Sequence, residues 1–182
     1  MRVSDVRRVL LVGFMGSGKS TVGPLVAAGL SWRFLDFDGC IEEAEGLSVA
    51  DIFRTHGEAH FRSVESEIAE RLLAEDRVVL GSGGGWAAEP GRLDTLPEGT
   101  VSVWLRVSAD EAVERVRPQA GVRPLLATED PRSRAEALLS ERAPRYGHAH
   151  LTVETDGRAP EEVASEILSL LQQRRSEAEI AN

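Results

Sequence analysis

The sequence predicts an α/β fold built on a parallel sheet. Short apolar runs recur along the 182 residues and alternate with segments of helical period. The first run, 9–12, is apolar at every position, as a strand buried on both faces requires. A glycine-rich stretch then leads straight into a helical segment.

The elements follow in order. The strand 9–12 stops at Gly13, and a helix runs from Lys19 to about Leu30. A second strand covers 33–35. Two short helices are expected at 39–45 and 48–55, the second opened by Ser48 with Asp51 three residues on. The clearest helix is 58–75, where Phe61, Val64, Ile68 and Leu72 recur at helical spacing. Strands follow at 77–80 and 100–107, the first stopped by Gly81. A helix at 110–117 leads into a loop at 118–132, rich in Pro, Gly, Arg and Asp. A helix at 134–142, a strand at 151–153 and a helix at 160–173 close the chain, with Pro160 suited to a first helical turn. The polar stretch from Arg174 is expected to fray.

Length allows one filled core and is short for two domains, so a single domain over 1–182 is expected. The net charge of −9, with no block of basic residues, argues against nucleic acid or an anionic membrane as partner. The ligands should be small, with any positive charge for them concentrated locally. One cysteine allows no internal disulfide, no apolar run suits a bilayer, and the start lacks the apolar stretch of a signal peptide. A cytoplasmic location is expected. Lys19 is the only lysine in a chain otherwise supplied with arginine.

That lysine lies in Gly13-Phe14-Met15-Gly16-Ser17-Gly18-Lys19-Ser20, which fits the phosphate-binding pattern G-x-x-x-x-G-K-[ST]. Glycines let successive N–H groups face one concavity, and the following helix adds its positive end. Lys19 can reach the β- and γ-phosphates, and Ser20 can ligate Mg²⁺. The strand before and the helix after are the context the motif needs.

The other candidates are open to two readings each. Asp36 and Asp38, two apart on an extended segment, would point the same way and serve a metal and substrate hydroxyls. They could equally form an acidic turn capping the next helix. Arg62 could clamp a carboxylate, or pair on the surface with Glu58 and Glu65. Gly83-Gly84-Gly85 could admit a ligand against the backbone or make a flexible turn. Arg123 could swing over a transferring phosphoryl group or remain in solvent. Arg142 stands where a helix is expected to end, facing its negative pole.

Taken in order, the P-loop, Asp36-x-Asp38, Phe61-Arg62-x-x-Glu65, Gly83-Gly84-Gly85, Arg123-Pro124-Leu125-Leu126 and Arg142-Ala143-Pro144-x-Tyr146 resemble the shikimate kinase family. The likeness runs from about Val9 to about Leu171. It implies a three-layer αβα P-loop fold of the nucleoside-monophosphate-kinase type, with a five-stranded parallel sheet. It implies transfer of the ATP γ-phosphate to the 3-hydroxyl of shikimate, in aromatic amino-acid biosynthesis. Nucleotide contacts would come from Gly16, Ser17, Gly18, Lys19, Ser20, Thr21 and Arg123, with Arg158 and Pro160 near adenine. Ser20 would hold Mg²⁺, with Asp36 supporting it through water. Asp38 would bind the acceptor hydroxyls and act as base. Arg62 and Arg142 would hold the carboxylate, Gly84 and Gly85 would offer N–H groups, and Phe53 and Phe61 would flank the ring. The substrate region would span about 36–65 and a lid about 117–133. A monomer is expected.

Four positions depart from the family pattern. Trp86 stands where a small residue is common, and Ser82 and Arg145 replace more apolar residues. Val116 stands where many members carry an adenine-stacking arginine. Competing readings are a kinase of the same fold for gluconate or a cyclitol, and an ATP-binding regulatory module without catalysis.

Overall fold

The computed structural model describes residues 6–117 and 130–180, with side chains to residue 174. Strand β1 (Arg8–Val12) is buried throughout. Side chains alternate along a strand, so Val9 and Leu11 enter one core while Leu10 and Val12 enter another. Strand β3 (Val78–Gly81) repeats the division, with Val79 on the first side and Val78 and Leu80 on the second. Strand β4 (Thr100–Arg106) sends Val101, Val103 and Leu105 to the first side. With β2 (Arg33–Asp36) and β5 (Leu151–Glu154) these strands form one sheet in the order β2-β3-β1-β4-β5. Every pairing is parallel.

Helices α1 (Lys19–Leu30) and α6 (Pro160–Ile180) pack together over the first side. The second side carries α2 (Phe37–Glu45), α3 (Val49–Leu73), a 3-10 turn at Trp86–Ala88, α4 (Ala109–Val116) and α5 (Pro131–Tyr146). The result is the expected three-layer α/β fold. The loops after β1, β2 and β3 open on one edge of the sheet, where parallel sheets bind ligands. No helix among the described residues is long and apolar enough to cross a membrane.

Several elements differ from the expectation, each for a local reason. The Asp36 side chain accepts a bond from the Asp38 N–H at 3.1 Å and caps α2. Asp36 and Asp38 therefore do not share an extended segment, because Asp38 lies in the first helical turn. The two helices expected at 48–55 and 58–75 are the halves of α3, broken at Gly57 (φ 81°, ψ 172°). Helix α5 begins at Pro131 under an Asp130 cap and continues to Tyr146 with Pro144 inside. Arg142 is thus not the end of its helix. Helix α6 runs to Ile180, past the point where polar composition predicts fraying. Strand β1 starts at Arg8, whose buried guanidinium donates to the Glu75 and Glu98 carbonyls and Thr100 Oγ1, and pairs with Asp76. Those partners make burial of the charge tolerable.

Candidate active site

The loop between β1 and α1 turns on glycines at positive φ, 75° at Gly16 and 95° at Gly18. A Cβ on Gly16 would lie 2.8 Å from the Ala112 carbonyl oxygen, so α4 leaves no room for a side chain. No side chain caps α1 at Gly18, whose carbonyl accepts from the Thr21 and Val22 N–H groups, so the positive end of the helix opens at the loop. Lys19 Nζ donates to the carbonyls of Gly13 at 2.8 Å and Phe14 at 3.0 Å, which aims the amine along the cradle. Ser17 is buried, and its N–H donates to the Phe14 carbonyl. Ser20 and Thr21 are exposed. Ser20 Oγ donates to Asp36 Oδ2 at 2.8 Å, bringing the end of β2 beside the loop.

Arg115 on α4 buttresses this loop. Its Nη1 donates to the Gly16 carbonyl and Thr155 Oγ1, each at 3.2 Å, and its Nη2 to the Thr155 carbonyl at 2.6 Å. The β5–α6 connection, which carries Arg158 and leads into Pro160 at the start of α6, is thereby held next to the glycine loop. Arg158 pairs with Glu166 at 2.6 Å and donates to the Glu154 carbonyl.

A second cluster forms around the turn after β3. A Cβ on Gly84 would lie 3.4 Å from the Gly13 carbonyl oxygen and 3.8 Å from Arg142 Nη1. At Gly83 it would meet Glu65 Oε1 at 2.4 Å and Asp38 Oδ1 at 3.6 Å. At Gly85 it would meet the Arg62 guanidinium at 2.6 Å. The glycines therefore let Asp38, Arg62, Glu65 and Arg142 close on one turn that itself touches the phosphate loop. Tyr146, one helical turn beyond Arg142 on α5, donates its hydroxyl to the Gly84 carbonyl at 2.7 Å. Phe53 and Phe61 lie with ring centroids 4.5 Å apart, and the Arg62 guanidinium lies 5.4 Å from the Phe61 centroid. Arg142 lies 5.9 Å from the Phe14 ring.

Charge in this cluster is tightly held. Glu65 is 2% exposed and accepts from Arg62 Nη1 at 2.6 Å. Burial pushes its carboxyl above the usual carboxylate range, and the Arg62 bond and charge offset only part of that rise. Burial works against the Arg62 cation too, but the bonds to Glu65 and Glu58 hold its pKa above the ordinary value. Burial also raises the Tyr146 phenol, opposed by Arg142. The phenol and the guanidinium thus stay in their donor forms.

The model of the shikimate kinase family matches residues 15–172. The chain is 42% identical over 161 residues to a shikimate kinase of Synechococcus sp. (strain RCC307), covering 88% of this chain and 82% of that protein. It is 40% identical over 171 residues to one of Geobacter metallireducens, covering 94% and 95%. The chain belongs to the shikimate kinase family. A shikimate kinase from Acinetobacter baumannii in complex with shikimate has the same fold, with TM-score 0.87 and 33% identity over 93% of this chain and 95% of that one. A gluconokinase from Sinorhizobium meliloti is similar at TM-score 0.65 and 22% identity over 97% and 98%, a likeness of fold alone. This chain is an ATP-dependent kinase acting on a hydroxyl group.

Many of the residues read from the sequence lie in two neighbouring groups. Gly16, Ser17, Gly18, Lys19, Ser20 and Thr21 form the phosphate loop and the start of α1. Asp38, Arg62, Gly84, Gly85 and Arg142 gather at the glycine turn. Arg123 and the lid core at 118–129 lie outside the described residues. Glu65, Tyr146 and Arg115 received no role from the sequence. The first two stand within the motifs Phe61-Arg62-x-x-Glu65 and Arg142-Ala143-Pro144-x-Tyr146, which was the available signal. Arg115 carried none.

The departures from the family pattern have structural roles outside the cluster. Ser82 Oγ donates to the Leu11 carbonyl and ties β3 to β1. Arg145 donates to the Ala88 carbonyl and holds the 3-10 turn. Val116 is buried in the core. Trp86 is 2% exposed, edge-on to Phe37 at 5.4 Å and beneath the Arg92 guanidinium. It lines a cleft of about 630 Å³ that reaches Arg7, Leu96 and Glu98, near the N-terminal ends of β1 and β4. Its Nε1 is buried and finds no hydrogen-bond partner among the described residues. Trp86→Ala should cost about 3–5 kcal/mol of stability through cavity formation. Trp86→Phe should cost about 1 kcal/mol or less, because the orphan donor leaves with the indole. Urea unfolding of both variants checks this, and an equal loss in the two would contradict it.

Proposed function

We propose that this kinase transfers the γ-phosphate of ATP to the 3-hydroxyl of shikimate, giving shikimate 3-phosphate and ADP. The carrying observation is the convergence of Arg62, Arg142 and Asp38 on a turn that touches Gly13 of the phosphate loop. Two arginines and Asp38 beside a phosphate cradle, with Glu65 held against Arg62, suit an acceptor with a carboxylate at one end and hydroxyls at the other.

Each residue then has a task. The loop N–H groups and Lys19 position the phosphates and stabilise charge on the transferring group. Ser20 and Asp36 present hard oxygen donors 2.8 Å apart, which suits Mg²⁺. Ser20 would hold the ion, with Asp36 supporting it through water, and it would supply charge neutralisation to the phosphates. Arg62 and Arg142 hold the acceptor carboxylate, while Phe53 and Phe61 flank its ring. Asp38 accepts from the acceptor hydroxyl and takes its proton as the oxygen attacks phosphorus. Tyr146 and Glu65 position the turn and Arg62. Arg158 and Pro160 lie toward the base, and Arg123 closes with the lid. The enzyme works as a cytoplasmic monomer.

The test is direct. Purified protein with ATP and Mg²⁺ is given shikimate, gluconate or no acceptor, and products are weighed by mass spectrometry. Shikimate phosphate formed in preference to gluconate phosphate supports the assignment. ADP release without it removes shikimate as the acceptor. Asp38→Asn keeps shape and removes the base, and should lower kcat by about a hundredfold or more. Titration of ATP should show unchanged nucleotide affinity, and full turnover in that variant would end the proposed role.

A further inference from the structure

A different cluster lies where α2 ends beside the break in α3. Glu45, His56 and His60 each offer a ligand atom, and these atoms all lie within 4.8 Å of one another. Glu45 is the last residue of α2, and the two histidines stand on either side of Gly57. His60 Nε2 is 2.8 Å from Glu45 Oε2, and the imidazole centroids are 4.9 Å apart. Glu45 and His60 are half-buried and His56 is exposed, so the group is reachable from solvent.

The tautomer of His56 follows from its neighbour. Thr55 Oγ1 lies 2.7 Å from the Asp51 carbonyl oxygen, which can only accept, so the hydroxyl hydrogen points there. The same Oγ1 lies 2.9 Å from His56 Nδ1 and must accept from it. Nδ1 therefore carries the proton in the neutral ring, and Nε2 presents a lone pair. Metal-binding histidines are oriented by this kind of bond through the second nitrogen.

We infer that Glu45, His56 and His60 form a site for a transition-metal dication of the Zn²⁺ class. Two imidazoles and one carboxylate are a donor set that suits Zn²⁺ and leaves a position for water. Ligand atoms around Zn²⁺ at about 2.0–2.2 Å stand roughly 3–3.6 Å apart. The present spread needs about an ångström of side-chain rotation to close. The His60–Glu45 bond opens as both atoms turn to the metal, and the proton that His60 Nε2 donates to Glu45 is released to solvent or moves to Nδ1, leaving a neutral ligand nitrogen. Bound there, the ion would link α2 to both halves of α3 across Gly57. Those halves carry Phe53 on one side and Phe61 and Arg62 on the other.

The test uses the full chain without nucleotide, in millimolar Mg²⁺, titrated with Zn²⁺ by calorimetry. One Zn²⁺ per chain should bind in the micromolar range, and Tm should rise with zinc concentration. His56→Ala and His60→Ala should each weaken binding at least tenfold. Thr55→Val should weaken it about ten- to a hundredfold by freeing the His56 tautomer. Asp36→Asn should bind zinc as the parent does, which separates this site from the proposed nucleotide-metal position. Absence of one-to-one binding, or undiminished binding in both histidine variants, overturns the inference.

Discussion

Lys19→Ala should lower kcat by about a hundred- to a thousandfold and leave Tm nearly unchanged. Removing one preorganised donor from a developing phosphate charge costs roughly that much. The amine is aimed by the carbonyls of Gly13 and Phe14, so it meets the cradle and not the core. Position 19 opens α1 and is only half-buried, and alanine is a good helix former. A fall in turnover without a fall in stability therefore separates a phosphate contact from a structural lysine. Steady-state kinetics and a thermal melt of the same preparation make the comparison. The chain adds a second readout, because Lys19 is its only lysine. Acylation of side-chain amines should report this one position, and ATP with Mg²⁺ should slow it. Wild-type turnover in the variant, or labelling indifferent to ATP, would remove Lys19 from the phosphate site.

The parts of the fold that were legible are those whose signal is local. Val9 to Val12 are apolar on both faces because the central strand of a parallel sheet is covered twice. The glycine loop reads directly because its backbone needs the residues that the motif names. The break in α3 was visible as two separate helical patterns around Gly57. What was not legible depends on distant partners. Arg8 reads as a polar residue before a strand, yet it is buried because carbonyls of residues 75 and 98 reach it. Of the two readings of Asp36 and Asp38, the structure bears out the helix cap and not the extended pair, since Asp36 caps α2 and Asp38 lies in its first turn. The helix expected at 134–142 runs on to Tyr146 with Pro144 inside it, and so brings Tyr146 under the glycine turn.

Glu65 shows the same limit within the site. A glutamate three residues after an arginine on a helix reads as half of a surface pair. Here it is buried against Gly83, and the pair holds Arg62 at the glycine turn. Arg62 thus has two tasks that mutation can separate: neutralising Glu65 and clamping the acceptor carboxylate.

Arg62→Ala should raise the KM for shikimate at least about tenfold while that for ATP moves little. Loss of a hydrogen bond to a charged group is worth about 1.5–3 kcal/mol. The same change leaves Glu65 buried without its cation. Breaking a buried pair costs about 3–5 kcal/mol, and Arg62 is 32% exposed, so about 2–3 kcal/mol is expected. The sign with pH follows from Glu65, whose carboxyl already sits above its usual range through burial. Without Arg62 it rises further. A carboxyl raised in the folded state keeps its full contribution below the unfolded pKa and loses it as pH rises through the folded value. The variant should therefore lose stability as pH rises and regain it as pH falls. Adding Glu65→Gln removes the unpaired charge, so the double variant should recover most of the stability and none of the acceptor affinity. Denaturant melts across pH and shikimate kinetics on both proteins measure the two tasks independently. If the double variant regained shikimate affinity together with stability, Arg62 would be a structural partner of Glu65 and not the carboxylate clamp.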